Sequence, residues 1–398
     1  MTITRALAAS LALFLSSGMA PAEPRIPASD GQVLERLPLR PGDPLGRELA
    51  QLRQAVRANP RDIDAAVRLA RRYYTLVGEE GDPRYLGYAQ AALAPWWTQT
   101  EPPVEVQVLR ASLLQFRHDF DGAVADLSAV LAREPDNARA RALRATIHIV
   151  QARYADAATD CLALRGAASM LIATACEQMV RGLTGQAESA YVTLRDALAA
   201  APTASADEKL WALLRLAEMS QRSGRMADAE RHFRAALALG IRDTFLLAAY
   251  ADFLLDAGRP AEVLALIGAS PGAAVRSDTL LLRQVLARRK LRQPDADAAE
   301  ATLAARYAAS RQRGETVHEQ EEARFVLEVK GDARRAVALA ADNWKVQREP
   351  RDARVLLEAA LAAGDAAAAA PVLQWMDASG IEDRTLRALA VRLGKEKA

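Results

Sequence analysis

The stretch Val130–Ala145, VLAREPDNARARALRA, decides how the rest of the chain is read. Strong helix formers run up to Glu134, Pro135-Asp136-Asn137 interrupts them, and strong helix formers resume. Proline has no N–H and disfavours helix in the residue before it, so Pro135 ends one helix. Asp136 or Asn137 then caps the next. A lone interruption would be a kink or a loop, whereas one that recurs at a fixed period marks a repeat array. This one recurs: Asn59-Pro60 with Asp62, and Glu349-Pro350 with Asp352, carry the same device.

Aligned on itself at 34 residues, the chain pairs Ala111 with Ala145, Phe120 with Tyr154, Ala123 with Ala157, Leu127 with Cys161 and Val130 with Leu164. Ala217, Ala229, Phe233 and Ala236 repeat the same ladder, and the same step takes Gly224 to Gly258 and Ala217 to Ala251. Ala190, Leu194, Ala197 and Pro202 repeat its second half, with Gln178 where a small residue is due. This residue set resembles the tetratricopeptide repeat (TPR) family. The resemblance implies an all-α fold, a right-handed α-α superhelix (solenoid) of helix–turn–helix repeats. Small residues let paired helices approach to about 8–10 Å, and the stacked pairs leave a concave surface. A four-helix bundle or a HEAT-like solenoid is the structural alternative.

The ladder is clear over Val104–Leu171 and Leu210–Pro260 and weaker over Ile63–Leu93 and Met170–Thr203. Over Glu315–Met376 the stretch VLEVKGDARRAVALAADNW carries one residue too many, and over Asp278–Arg313 the signature is almost lost. About eight helical pairs are therefore expected across residues 44–394. The composition suits such an array: of 398 residues only 5% are aromatic, and Ala-rich packing buries narrow seams between close helices.

The first residues, MTITRALAASLALFLSSGMAPAEP, have the layout of a secretory signal peptide: Arg5, an apolar run Ala6–Leu15, and Ala20-Pro21-Ala22. The run is shorter than the roughly 18 apolar residues a spanning helix needs. A signal peptide over 1–22, cleaved after Ala22, and an extended segment over 23–43 are expected. The mature chain would then be periplasmic or secreted, with no transmembrane segment. Losing Arg5 lowers the net charge from +2 to +1. A near-neutral exported chain lacks the footprint of a nucleic-acid binder, so no nucleic-acid partner is expected. The basic run RQVLARRKLR, Arg283 to Arg292, reads as a solvated helix face, with an anionic-ligand site as the alternative.

Catalytic grammar is missing from the sequence. There is no strand followed by a Gly-rich loop, no period-2 run of β-formers, and no Ser/His/Asp or Cys/His spacing. The chain is read as not an enzyme, with no catalytic or metal-binding residues and no cofactors. HEQEE, His318 to Glu322, lacks the second His of a helical zinc motif and reads as an exposed polar face. His118 falls in an inter-helix turn. The aromatic group Tyr85, Tyr88, Trp96 and Trp97 is either a binding hot spot or filling for a lengthened turn, and Trp344 is read as core.

The function implied is a non-catalytic exported scaffold that binds a protein or peptide partner in its concave groove. The alternative is an accessory subunit of an envelope assembly or polysaccharide secretion machine, contacting glycan or a membrane protein. In the family, the inner face of each first helix lines the groove. That register implies Arg71, Tyr74, Gln115, Phe116, Thr146, Ile149, Trp211, Glu218 and Arg222 as groove residues, with Ile149 and Trp211 also suited to core. The two cysteines, Cys161 and Cys176, fall on neighbouring antiparallel helices of an exported chain. They suit a disulfide, or else two buried thiols acting as small apolar residues.

Overall fold

Helix starts follow from short polar side chains that satisfy the first free N–H groups. In the computed structural model, which describes residue 29 and residues 43–269, 276–314 and 319–395, Asp62 accepts from Ala65 N at 3.0 Å and Asn137 accepts from Ala140 N at 3.0 Å. Of the two candidate caps after Pro135, Asn137 is the one used. At Glu349-Pro350 the device works differently. Pro350 is the first residue of the helix, Glu349 is its cap, and Asp352 accepts from Glu349 N at 2.9 Å.

These caps open an all-α chain. An opening helix α1 (Pro44–Ala58) precedes nine helix pairs among the described residues. The first pair is α2 (Ile63–Glu80) with α3 (Arg84–Ala92), followed by a one-turn helix α4 (Ala94–Trp97). Next come α5 (Val104–Phe116) with α6 (Phe120–Arg133), α7 (Ala138–Val150) with α8 (Tyr154–Ala163), and α9 (Met170–Gly182) with α10 (Ala187–Ala199). They continue as α11 (Ala206–Arg222) with α12 (Met226–Leu237), α13 (Thr244–Asp256) with α14 (Pro260–Gly268), and α15 (Asp278–Lys290) with α16 (Ala296–Gln312). The last pairs are α17 (Glu319–Phe325) with α18 (Ala333–Val346) and α19 (Pro350–Ala363) with α20 (Ala370–Ser379), and α21 (Arg384–Lys395) closes the array.

The turn inside each pair is the most regular feature. In seven of the nine pairs the first helix ends in a Schellman closure, in which an N–H bonds the carbonyl five residues back. Asp119 N donates to Leu114 O at 3.0 Å, Arg153 N to His148 O at 2.7 Å, and Arg259 N to Leu254 O at 2.9 Å. The preceding residue takes positive φ: 61° at His118, 58° at Ala152, 70° at Gly258 and 54° at Arg292. His118 thus has the turn role its position suggests. Arg292 stands one 34-residue step beyond Gly258, and Gln293 N donates to Arg288 O at 3.0 Å. The unit over Asp278–Arg313, almost unmarked in sequence, is a full repeat in its backbone.

The surplus residue in VLEVKGDARRAV is also accounted for. Val326–Lys330 is a π-helical turn, which takes one residue more than an α turn. The closing bond there reaches back six residues, from Asp332 N to Val326 O at 3.2 Å.

Packing within pairs follows the ladder. Ala111, Ala145, Ala217 and Ala251 are wholly buried, as are Ala123, Ala157, Ala190 and Ala229. Leu127, Cys161, Leu194 and Phe233 fill the space beside them, also at 0% exposure. A buried ion pair repeats with the same step: Arg110 forks onto Asp126 at 2.6 and 2.7 Å, and Arg144 onto Asp160 at 2.7 and 2.8 Å. Cys161 and Cys176 are joined in a disulfide, Cα atoms 5.3 Å apart, which ties α8 to α9. No helix among the described residues is long and apolar enough to cross a membrane.

Candidate partner-binding site

The groove residues inferred from the family register divide by position. Arg71 is exposed and Tyr74 half-buried on α2, and Gln115 and Phe116 are half-buried at the end of α5. Burial pushes the Tyr74 hydroxyl up, against the opposing charge of Arg139, and burial beside Arg71 pulls Arg139 down. Arg71, Tyr74 and Arg139 together make a basic and aromatic surface.

The remaining residues lie under other parts of the chain. Thr146 is half-buried and its hydroxyl donates to Ala142 O at 2.9 Å. Ile149 is 3% exposed, in one apolar cluster with Met179, Trp344, Leu356 and Trp375. Trp211 packs against this cluster and against the neighbouring one that holds Leu171, Tyr191 and Leu216. Glu218 pairs with Arg215 at 3.0 Å. Burial pulls Arg222 below its ordinary value, opposed by the carboxylates of Glu218 and Asp383. Ile149, Glu218 and Arg222 meet Arg348, Glu349 and Pro350 around a cavity of about 30 Å³, roughly one water molecule.

The cause is the C-terminal quarter of the chain, which packs against α7, α9 and α11. Arg348 N donates to Val150 O at 2.8 Å, and the Trp375 indole donates to the Tyr154 hydroxyl at 3.1 Å. The Ala187 N–H at the start of α10, a helix with no cap of its own, donates to Glu382 at 2.7 Å. Arg354 forks onto Asp256 at 2.6 and 2.8 Å. Gly185 lies so near Gly380 that a Cβ on it would stand 3.3 Å from the Gly380 carbonyl oxygen. Trp344 and Trp375 meet edge to face at 5.3 Å. The N-terminal pair is engaged as well, with Thr244 donating to Gly78 O at 2.9 Å and Arg276 pairing with Glu80 at 3.2 Å.

Sequence reasoning missed Arg348, Trp375 and Glu382. No motif marks them, because each serves a contact about 200 residues away. Phe245 was missed too: it is partly exposed and lies between the guanidiniums of Arg215 and Arg351, at 5.7 and 5.5 Å.

Other sequence features resolve locally. Tyr73, Tyr85 and Tyr88 pack on one another with ring centroids 5.5 to 6.1 Å apart, Trp96 is buried and Trp97 half-buried. Trp344 is core, at 5% exposure. In the basic run, Arg283 is buried against Asp252 and Glu321, Arg288 pairs with Asp295 and Arg289 with Glu300. Burial alone would raise the Asp252 carboxyl, and the guanidiniums of Arg283 and Arg324 overcome it and hold it well below the usual range. His318 lies outside the described residues, and Glu322 is held by Arg311 and Arg335.

Neither a known protein family nor a curated protein matches the sequence. Among solved structures the chain is similar to a tetratricopeptide repeat protein from Parabacteroides merdae (14% identity, 74% of this chain and 98% of that one, TM-score 0.35). It is also similar to the P58(IPK) TPR domain (14% identity, 84% and 98%, TM-score 0.25). A third likeness is to Naa15/Naa10 bound to HypK-THB (15% identity, 88% and 56%, TM-score 0.30). On its own geometry of paired helices, Ala-lined crossings and turns recurring at 34 residues, the fold is an all-α solenoid of tetratricopeptide type.

Proposed function

We propose that this chain is an exported, non-catalytic repeat scaffold that takes a protein or peptide partner on its inner face. The observation that carries the reading is the contrast along that face. Ile149, Trp211, Glu218 and Arg222 lie beneath or beside the chain's own C-terminal helices, while Arg71, Tyr74, Gln115 and Phe116 keep exposed or half-exposed surface at the N-terminal units. Guanidinium, phenol and aromatic ring are the side chains enriched at protein interfaces. Partner contact therefore falls on α2 and α5, and the residues farther along hold the array closed. Export rests on the signal-peptide layout of residues 1–22, which lie outside the described residues.

Two measurements test the proposal. A photo-crosslinking residue at Phe116 or Tyr74 is expected to capture one common partner in cells, and the same residue at Thr159, exposed on a second helix, is not. Equal capture at all three positions would remove the case for this surface. N-terminal sequencing of protein recovered from cells is expected to begin at Glu23; retention of residues 1–22 would overturn export.

A further inference from the structure

The C-terminal helices do not pack flush against the rest of the array. Where α19 and α21 pass the ends of α13, α15 and α17 they leave a cavity of about 470 Å³, inside the range of roughly 300–1,000 Å³ typical of small-molecule sites. An open solenoid presents a groove through which a chain can run. Here α19 and α21 form a second wall, so the space is a cleft between two walls with one side open to solvent.

Its lining is sorted by chemistry. Leu255, Leu327, Leu361 and Leu389 give it an apolar side contributed by four different elements. Four cations and three carboxylates make up most of the rest. Two of the cations are already committed: Arg324 holds Asp252 and Glu328, and Arg354 holds Asp256 and Glu358. Lys290 and Arg392 are not. Both line the cleft, both are exposed, and among the described residues no ion pair or hydrogen bond holds either one. Lys290 and Arg292 are the members of the basic run left over once Arg283, Arg288 and Arg289 have found acids, and of the two Lys290 lines this space.

We propose that this cleft binds a small amphiphilic carboxylate, its apolar body against the leucines and its head between Lys290 and Arg392. The uncommitted charge is positive, which selects an anion. Only two cations are uncommitted beside a leucine wall, which disfavours a polyanion, whose affinity grows with the number of charges neutralised. The proposal is independent of the partner surface on α2 and α5. The same chemistry occurs in a free alkyl acid and in the carboxyl end of an apolar peptide, and the experiment separates the two.

The test titrates the full mature chain with decanoate below micelle formation, followed by calorimetry and thermal midpoint. Decanol and decyltrimethylammonium serve as controls. Parallel arms use a short Leu-rich peptide with a free carboxyl end and the same peptide amidated. Saturable binding of decanoate, or of the free-acid peptide alone, is expected, without binding of the neutral and cationic controls; which acid binds identifies the source. Lys290→Met with Arg392→Met is expected to weaken binding about tenfold or more, the factor that loss of a charge-assisted hydrogen bond brings. Leu361→Trp, which fills the cleft and leaves both charges in place, is expected to abolish binding. The unliganded melting midpoint of each variant shows whether it folds. Binding by neither acid, equal binding of the cationic control, or unchanged affinity in both variants would overturn the proposal.

Discussion

Trp375→Ala tests whether the C-terminal helices are integral to the solenoid. The ring is 9% exposed, meets Trp344 edge to face at 5.3 Å, and donates its indole N–H to the Tyr154 hydroxyl at 3.1 Å. Truncating a buried Trp costs about 3–5 kcal/mol through lost transfer energy and the cavity left behind. The position sits at the lower end of that range for burial, and the aromatic pair adds about 1 kcal/mol, so about 4 kcal/mol is expected. Trp375→Phe keeps most of the bulk and removes the hydrogen bond, and about 1 kcal/mol is expected. Denaturant unfolding measures both. The discriminating readout is hydrogen exchange by segment. In an open solenoid each unit touches only its neighbours, so damage at α20 would stay in α18 to α21. With Tyr154 and Glu382 tying α8 and α10 to the C-terminus, protection is expected to fall around residues 154–163 and at Ala187 as well. Loss confined to residues 333–395 would refute the closure.

Three further outcomes follow from the same geometry. Asp160→Ala strips a buried carboxylate from Arg144 and Arg141 and is expected to cost about 3–5 kcal/mol, against less than about 0.5 kcal/mol for the exposed Asp156→Ala, both read by denaturant midpoint. Reducing the Cys161–Cys176 bond opens a loop of sequence separation 15; a loss of about 3 kcal/mol is expected, read as a lower melting midpoint with thiol, and equal midpoints with and without thiol would count against the staple. Burial raises the Asp352 carboxyl to about 7, opposed by Arg351 and assisted by Glu349. A carboxyl whose folded value is raised stabilises the fold below its ordinary value near 3.8, and that contribution is lost as pH rises through about 7. Asp352→Asn is expected to flatten this stretch of the stability profile and to be more stable than the parent at pH 8; a variant with the same pH slope as the parent would refute the assignment.

Local structure was legible where a single residue type performs the task. Proline, a capping Asn or Asp and a small residue at a crossing each act through their own backbone or bulk, so Pro135, Asn137 and Ala145 could be read in isolation. Arg292 could not. It adopts a turn conformation that glycine takes more readily, so the repeat it belongs to leaves no letter to recognise. Groove positions were legible as a register along α7 and α11, but not as free surface. Whether Ile149 and Arg222 meet a partner or the chain itself depends on Trp344, Arg348 and Pro350, some 120 to 200 residues later. Helical periodicity carries no information at that distance.

The bond from Ala187 to Glu382 spans 195 residues, and that from Trp375 to Tyr154 spans 221. Repeat arrays ordinarily fold fast because nearly all their contacts are between near neighbours. This one cannot finish until residues 340–393 arrive. During synthesis the units through α14 have everything needed to stack, yet the apolar faces carrying Ile149 and Met179 wait bare for a segment made well over a hundred residues later. The vulnerable species is a chain made only as far as α14, and it is prone to pair with another copy's α18–α21 in place of its own. A preference for exchange of C-terminal helices between copies at high concentration would be the visible trace of that delay.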